Sequence, residues 1–438
     1  MSISTPPAGF SRRGLLIGGA AGAFSIAVPR YANARPLSRG LASQLPFVKP
    51  LSAQAVHNAF GVCAHPTFRV SGYQYTTEWM AALAQTGASY FRGAYDEKNP
   101  GTMLAATAAR KHGIKWGMLV SPEDWTLSDE GLIARIRHIG NNAADVCRFV
   151  EGVNEPNHER DGGAPPSDWV ARTVAKQKVI WRAVKGDPRL AHVKVVGPSL
   201  HAVAATESDY AALGAAGIAR FMDYSGMHRY PGGHYPDQLL DERLAWINRY
   251  WSGRPTWITE TGYTNALATV RGHRPVPESV AALYGPSAVL EAADRGCNVI
   301  WYELLDDPDS GAKDVIESNF GMFATTTGTG PLWRPKPIAT AMGSFLGWLD
   351  DPGPTFNPPE IRLKVTSTAA DVRTTVVAKR SGGVAIYLRR ATDCWDVNAQ
   401  TPIPVTKAQV TLTTLEGSRT IAVDHVVKKI PLLFQNRA

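Results

Sequence analysis

FVEGVNEPN (149–157) and PTWITETGY (255–263) are the two stretches that decide the architecture. In the first, a short apolar run ends abruptly at Asn154, Glu155 and Pro156. It is too short for a helix and is closed by proline, so it reads as a buried strand with a carboxylate at its C-terminal tip. The second has the same build, with Glu260 at its tip. Two strand-end carboxylates that far apart in sequence predict a barrel whose acid/base pair gathers at one mouth.

The chain on either side of them alternates as a barrel requires. Strands are predicted at 60–65, 89–95, 114–120, 148–155, 193–199, 221–230, 256–262 and 297–305. Between them lie stretches such as GTMLAATAARKHG and VAALYGPSAVLEAADRG, whose apolar residues recur at three and four and which close on glycine. The last helix is PIATAMGSFLGWLDD. Eight strand–helix units over 60–350 give an α/β fold, a (β/α)8 TIM barrel. A doubly wound sheet is the alternative, but no GxGxxG follows the first strand and the carboxylates do not gather at one switch point.

Beyond the proline-rich boundary at 351–359 the period falls to two. Val384, Ile386 and Leu388 alternate with Ala385, Tyr387 and Arg389 after a Ser381-Gly382-Gly383 turn, pairing with VRTTVVAKR. This predicts a small antiparallel, sandwich-like β domain over 351–438. IRLKVTS would be its first strand, and residues before Phe60 are candidates for its edge.

The first 34 residues read as an export signal. Arg12-Arg13 precedes a short Gly/Ala-rich apolar run, and Ala32-Asn33-Ala34 has the form of a cleavage site. The paired arginines resemble a twin-arginine signal, with a general secretory signal as the alternative. Residues 35–59 read as a tether. Cleavage after Ala34 would leave a modest positive charge on scattered basic residues, which gives no nucleic-acid footprint. No later stretch is long and apolar enough to span a bilayer, so no stable membrane insertion is expected after cleavage. The four cysteines, Cys63, Cys147, Cys297 and Cys394, show no zinc or redox spacing and are expected as buried thiols.

Parity along the strands proposes the site. Glu260 shares the parity of Ile258 and should face the barrel interior. His228 and Tyr230 share one face of the neighbouring strand, and a tyrosine hydroxyl there would hold Glu260 ionised. Arg92 would add a fixed positive charge. Glu155 calls for the opposite surroundings, less solvated and close to another carboxylate, so as to stay protonated. Strict alternation cannot send both Asn154 and Glu155 inward, which predicts a bulge at that strand end. Trp125, Tyr95, Tyr235, Tyr263 and Trp333 are loop aromatics near the mouth that a sugar ring or ordinary packing would use equally well. Glu151, Glu303, Asp124 and Asp96 rank as structural or subsite groups. The run from Asp306 to Asp314 faintly resembles a calcium loop but lacks its closing glutamate.

With Asn154-Glu155-Pro156 ending strand 4, His228-Arg229-Tyr230 on strand 6 and Glu260 in ITETGY ending strand 7, the chain resembles clan A glycoside hydrolases, in particular bacterial members around families 5 and 39. The phrases VVGPSL, HRYPGG, WYELLD and RPKPIATAM support the likeness. It implies a retaining glycosidase acting on a β-linked glycan, with carbohydrate as partner and neither cofactor nor metal. Glu155 would be the acid/base, Glu260 the nucleophile and Asn154 the donor to the hydroxyl beside the reacting carbon. Tyr230 would orient Glu260, with Arg92 and His228 supporting, and Trp301 or Tyr302 would floor the first subsite. His65 is a further candidate without an assured counterpart in those families. Transfer to a second sugar, or a non-catalytic carbohydrate-binding barrel, are the alternative readings.

Overall fold

The computed structural model describes residues 44–121, 127–158, 165–269, 272–307, 314–325, 330–331 and 333–432. Eight parallel strands form the barrel: β1 (Phe60–Cys63), β2 (Tyr90–Ala94), β3 (Lys115–Ser121), β4 (Cys147–Val153), β5 (Lys194–Val196), β6 (Ser225–His228), β7 (Thr256–Thr261) and β8 (Asn298–Trp301). Their pairing runs β5-β4-β3-β2-β1-β8-β7-β6, and a parallel bridge from Val196 to Tyr224 closes the ring.

The helices that alternate with these strands are α1 (Thr76–Gln85), α2 (Pro100–His112), α3 (Asp129–Asn142), α4 (Trp169–Lys185), α5 (Glu207–Ala215), α6 (Leu240–Tyr250), α7 (Glu278–Asp294) and α8 (Pro337–Leu349), and a short helix at Ala53–Asn58 precedes β1. Their ends follow local chemistry. The Asn99 side chain accepts from Gly101 N at 2.9 Å to start α2, and Gly113 ends it at φ 65°.

Alternation splits each strand between two cores. Cys63, Tyr90, Phe149, Val196, Trp257 and Ile300 fill the barrel, while Val62, Phe91, Met118, Val150, Ile258 and Val299 face the helices. The filling rings are large, so their neighbours have no side chain. A Cβ at Gly61 would collide with the Tyr90 ring, and one at Gly117 with that of Phe149. All four cysteines are free and buried.

The β domain contains β9 (Lys364–Ser367), β10 (Val372–Ala378), β11 (Val384–Arg390), β12 (Ala408–Thr414), β13 (Gly417–Val423) and β14 (Lys428–Leu432). One sheet has the order β9-β12-β13. The other places Leu51–Ser52 beside β10, then β11 and β14. Phe47–Val48 pairs with Ile361–Arg362, so the stretch read as a tether supplies strands to this domain. Both faces of β11 are buried. Val384, Ile386 and Leu388 face the domain's own core, whereas Ala385 and Tyr387 join the barrel's. No helix among the described residues is long and apolar enough to cross a membrane.

Candidate active site

All eight strand ends converge on a cavity of about 470 Å³ lined by Arg92, Asn154, Glu155, Tyr230, Glu260 and Tyr302, among others. Glu260 reaches it by a device that parity did not foresee. Ile258 faces the helices and Trp257 the barrel, so strict alternation would turn Glu260 outward. The ladder slips instead. Met227 pairs with Ile258 and His228 with Glu260, and on the other side Val299 pairs with Ile258 and Trp301 with Thr261. Both neighbours see one extra residue in β7, a bulge that swings Glu260 into the mouth.

The bulge expected at the end of β4 is not there. The ladder holds register from Ser121–Val153 to the bridge between Asn154 and Ser199, and slips only at the start of the strand, between Trp116 and Gly117. Glu155 is turned by its own backbone, which has φ 46°. A left-handed conformation is costly for a residue with a side chain and is kept where surroundings impose it.

Arg92 is the hub. Its guanidinium donates to both oxygens of the buried Glu151, to Glu260 Oε1 at 2.5 Å and to Asn154 Oδ1 at 2.7 Å. Burial works against its charge, but Glu151 and Glu260 outweigh it and hold the proton firmly. Tyr230 Oη donates to Glu260 Oε2 at 2.8 Å. Burial, and then the adjacent Glu260 charge, push that phenol well above its usual range, so it stays a donor.

His228 stands between the two acids, with Nδ1 2.7 Å from Glu155 Oε1 and Nε2 3.4 Å from Glu260 Oε1. Burial pulls its pKa down, but Glu260 and the bond to Glu155 raise it above 6.5. Burial raises the Glu155 carboxyl, yet the bond to His228 outweighs it and leaves the group below the carboxylate range. The surroundings expected to keep Glu155 protonated are therefore corrected: a ring nitrogen of His228 at hydrogen-bond distance favours the ionised carboxylate instead. The nearest oxygens of Glu155 and Glu260 lie within 4.8 Å of each other.

Of the two aromatics left open on β8, Tyr302 lines the cavity. Trp301 does not: it has the parity of Val299, is buried among the helices and packs 5.8 Å from the Tyr263 ring. His65 lines the cavity, stacked on Phe68 at 4.6 Å. Its Nε2 is 3.0 Å from Glu303 Oε2, a spacing that suits an ion pair. Burial instead lowers His65 to about 4 and raises Glu303 well above its usual value, so the pair is neutral. Tyr95, Tyr235 and Tyr263 are buried in packing rather than lining the cavity, and Trp333 packs against the main core. Trp125 and Asp124 lie outside the described residues, as does most of the run from Asp306 to Asp314.

His201, His273, Glu317 and Phe320 also line the cavity and escaped sequence reasoning. His201 lies just past β5, where strand-end position alone is a usable signal; the others sit in long loops with no period to read. His201 and His158 stack with their planes 14° apart, and Ala204 N–H donates to His201 Nδ1. The rings lie face to face with centroids 4.1 Å apart, so their in-plane lone pairs run in separate parallel planes rather than converging on one ion beside Glu155.

No family model and no curated relative matches this sequence. Solved structures do match. A monomeric β-xylosidase from Caulobacter crescentus superposes with a TM-score of 0.51 at 16% identity, over 82% of this chain and 80% of that one. The chain shares that enzyme's fold. A rice β-glucosidase gives 0.49 at 11% identity, covering 65% of this chain and 97% of the other. A family 17 β-1,3-glucanosyltransferase from Rhizomucor miehei gives 0.47 at 14% identity, with 65% and 97% covered.

Proposed function

We propose that the protein is a retaining glycosidase that hydrolyses a β-linked glycan by double displacement, with Glu260 as nucleophile and Glu155 as acid/base. The observation that carries this reading is the approach of the two carboxylates to within 4.8 Å across one cavity. Retaining enzymes hold their carboxyl groups about 5–5.5 Å apart, too close for a water to stand between acid and sugar carbon. Glu260, fixed by Arg92 and Tyr230, attacks the anomeric carbon as the glycosidic bond breaks. The leaving oxygen takes a proton from Glu155, which His228 recharges.

Glu260 is the leading cause that raises the His228 pKa. When Glu260 becomes a neutral glycosyl ester, that cause disappears, and His228 releases its proton in the step that needs one. In the second step Glu155 and His228 take a proton from water, and hydroxide displaces Glu260. Asn154, anchored through Oδ1 to Arg92, turns its amide toward the hydroxyl beside the reacting carbon.

An activated 2-fluoro-glycoside should label Glu260 stoichiometrically, and an NMR time course should show first product of unchanged anomeric configuration. Inverted first product would overturn double displacement. A chain that binds glycans but is neither labelled nor active would be a binding barrel.

We further propose export through the Arg12-Arg13 signal to the cell envelope or beyond, with cleavage after Ala34. Arg12→Lys with Arg13→Lys should hold the protein in the cytoplasm. Normal secretion of that double variant would point to the general pathway.

A further inference from the structure

The β domain extends a long excursion between β11 and β12 against the segments that follow β6 and β7. Asp393 in that excursion grips the segment that follows β6: Oδ2 is 2.7 Å from His234 Nδ1, and Oδ1 accepts from Tyr235 N at 2.7 Å. Val397 sits so close over Gly233 that a Cβ there would collide with it. Tyr284 Oη accepts from Cys394 N at 3.0 Å, fastening the excursion to α7.

A second route meets the same segment. Arg389 of β11, fully buried, donates to Glu291 of α7 at 2.8 Å, and Glu291 accepts from Tyr235 Oη at 3.0 Å. The β domain thus holds Tyr235 by its backbone through Asp393 and by its side chain through Arg389 and Glu291.

The gripped segment runs directly on from Tyr230. Between Tyr230 and His234 lie Pro231, Gly232 at φ 60° and Gly233 at φ 83°. Two consecutive left-handed glycines have little local stiffness, so the segment's position is set by what fastens its far end: the β domain, and from the barrel Tyr263, whose Oη donates to His234 O at 2.7 Å. Tyr230 also meets His273 at 4.4 Å and Phe320 at 5.6 Å, which fix the plane of its ring rather than its height above Glu260.

We propose that Asp393 is a positioning residue for catalysis, acting through the 231–235 segment to set the Tyr230 bond to Glu260, so that the small β domain belongs to the catalytic apparatus. This rests on Glu260 being the nucleophile. Among the groups that bond to or closely approach Glu260 are Arg92 of β2, His228 of β6 and Tyr230 just past it. Tyr230 is the one whose chain runs on into the segment that the β domain holds.

The test is a double-mutant cycle in the full chain. Asp393→Ala should lower kcat roughly tenfold with KM within about twofold, whereas in a Tyr230→Phe background the same change should cost under about twofold. Asp393→Asn, which still accepts from Tyr235 N, should restore most of the activity and serves if the alanine variant folds poorly. Equal losses in both backgrounds, or none in the single variant, would overturn the proposal. A readout independent of turnover is the separation of Tyr230 Oη and Glu260 Oε2, 2.8 Å here, in crystal structures of the variants: it should lengthen in Asp393→Ala and not in Asp393→Asn. That lengthening without glycosidase activity would uphold the positioning role and reject the enzymatic reading, whereas an unchanged separation in an active enzyme would reject the positioning role alone.

Discussion

Glu155 and Glu260 face each other through His228, and the roles assigned to them separate when each is removed. Glu260→Ala should cut turnover by several orders of magnitude on every substrate. Glu155→Ala should spare the first step for aryl glycosides whose leaving group needs no proton. Azide should rescue both, giving glycosyl azides of opposite anomeric configuration, readable by NMR. The His228 bond makes a separate prediction. Loss of its proton, raised above 6.5, should set the basic limb of kcat/KM. In His228→Asn the carboxyl of Glu155 must hold the proton itself, so that limb should move to lower pH. An unmoved limb would show that the proton never resided on the imidazole. At this scale much was legible, because Asn154, Glu155 and Glu260 stand at strand tips in recognisable phrases. The protonation of Glu155 was not, since the distance to His228 depends on how β4 and β6 end, and the left-handed turn at Glu155 carries no sequence mark.

Among the elements, β7 repays comparison with its sequence. Counting parity from Ile258 reached the right place for Glu260 by the wrong route, because Ile258 faces the helices and the bulge supplies the missing half-turn. On β8 the same count, kept strictly, separates Tyr302 in the cavity from Trp301 in the core. Alternation is therefore readable along a strand, and what it lacks is the position of a slip, which is decided by the neighbouring strands. Glu303, just past β8, offers a stability test. Burial first, then Asp307, raises its pKa, so the folded state holds this proton more tightly than the unfolded one. The sign follows: this stability is fully present below the unfolded carboxyl value and is lost as pH rises toward the folded one. Glu303→Gln should accordingly gain about 1 kcal/mol or more over wild type at pH 8, and much less at pH 4, in paired thermal melts. A gain equal at both values would mean that the carboxyl is ionised in the fold.

For the molecule as a whole, the barrel and β domain share buried charge. Arg389 satisfies Glu291 and Asp294 of α7, and Tyr387 packs on Phe345 and Trp348 of α8 and its end. Truncation near Pro354 would bare that surface and leave Glu291 without its buried guanidinium, a loss of the kind that costs about 3–5 kcal/mol. The expected outcome is a barrel of sharply lower melting temperature and solubility. A truncated barrel that melts like the full chain would show the junction to be idle. The domain's strands were legible from their period of two, and residues before Phe60 were expected at its edge; which of them pair was not legible, because a pair such as Phe47–Val48 is too short to show any period.

Those short strands have a consequence in time. Leu51 pairs with Val377, and Phe47 with Arg362, so the earlier residue of each pair leaves the ribosome long before its partner does. Emerging N-terminus first, the chain cannot close this seam until the whole barrel between the two partners has appeared. A copy that stops short before β10 keeps Phe47–Ser52 unfastened, whereas one that reads past it has that stretch clasped.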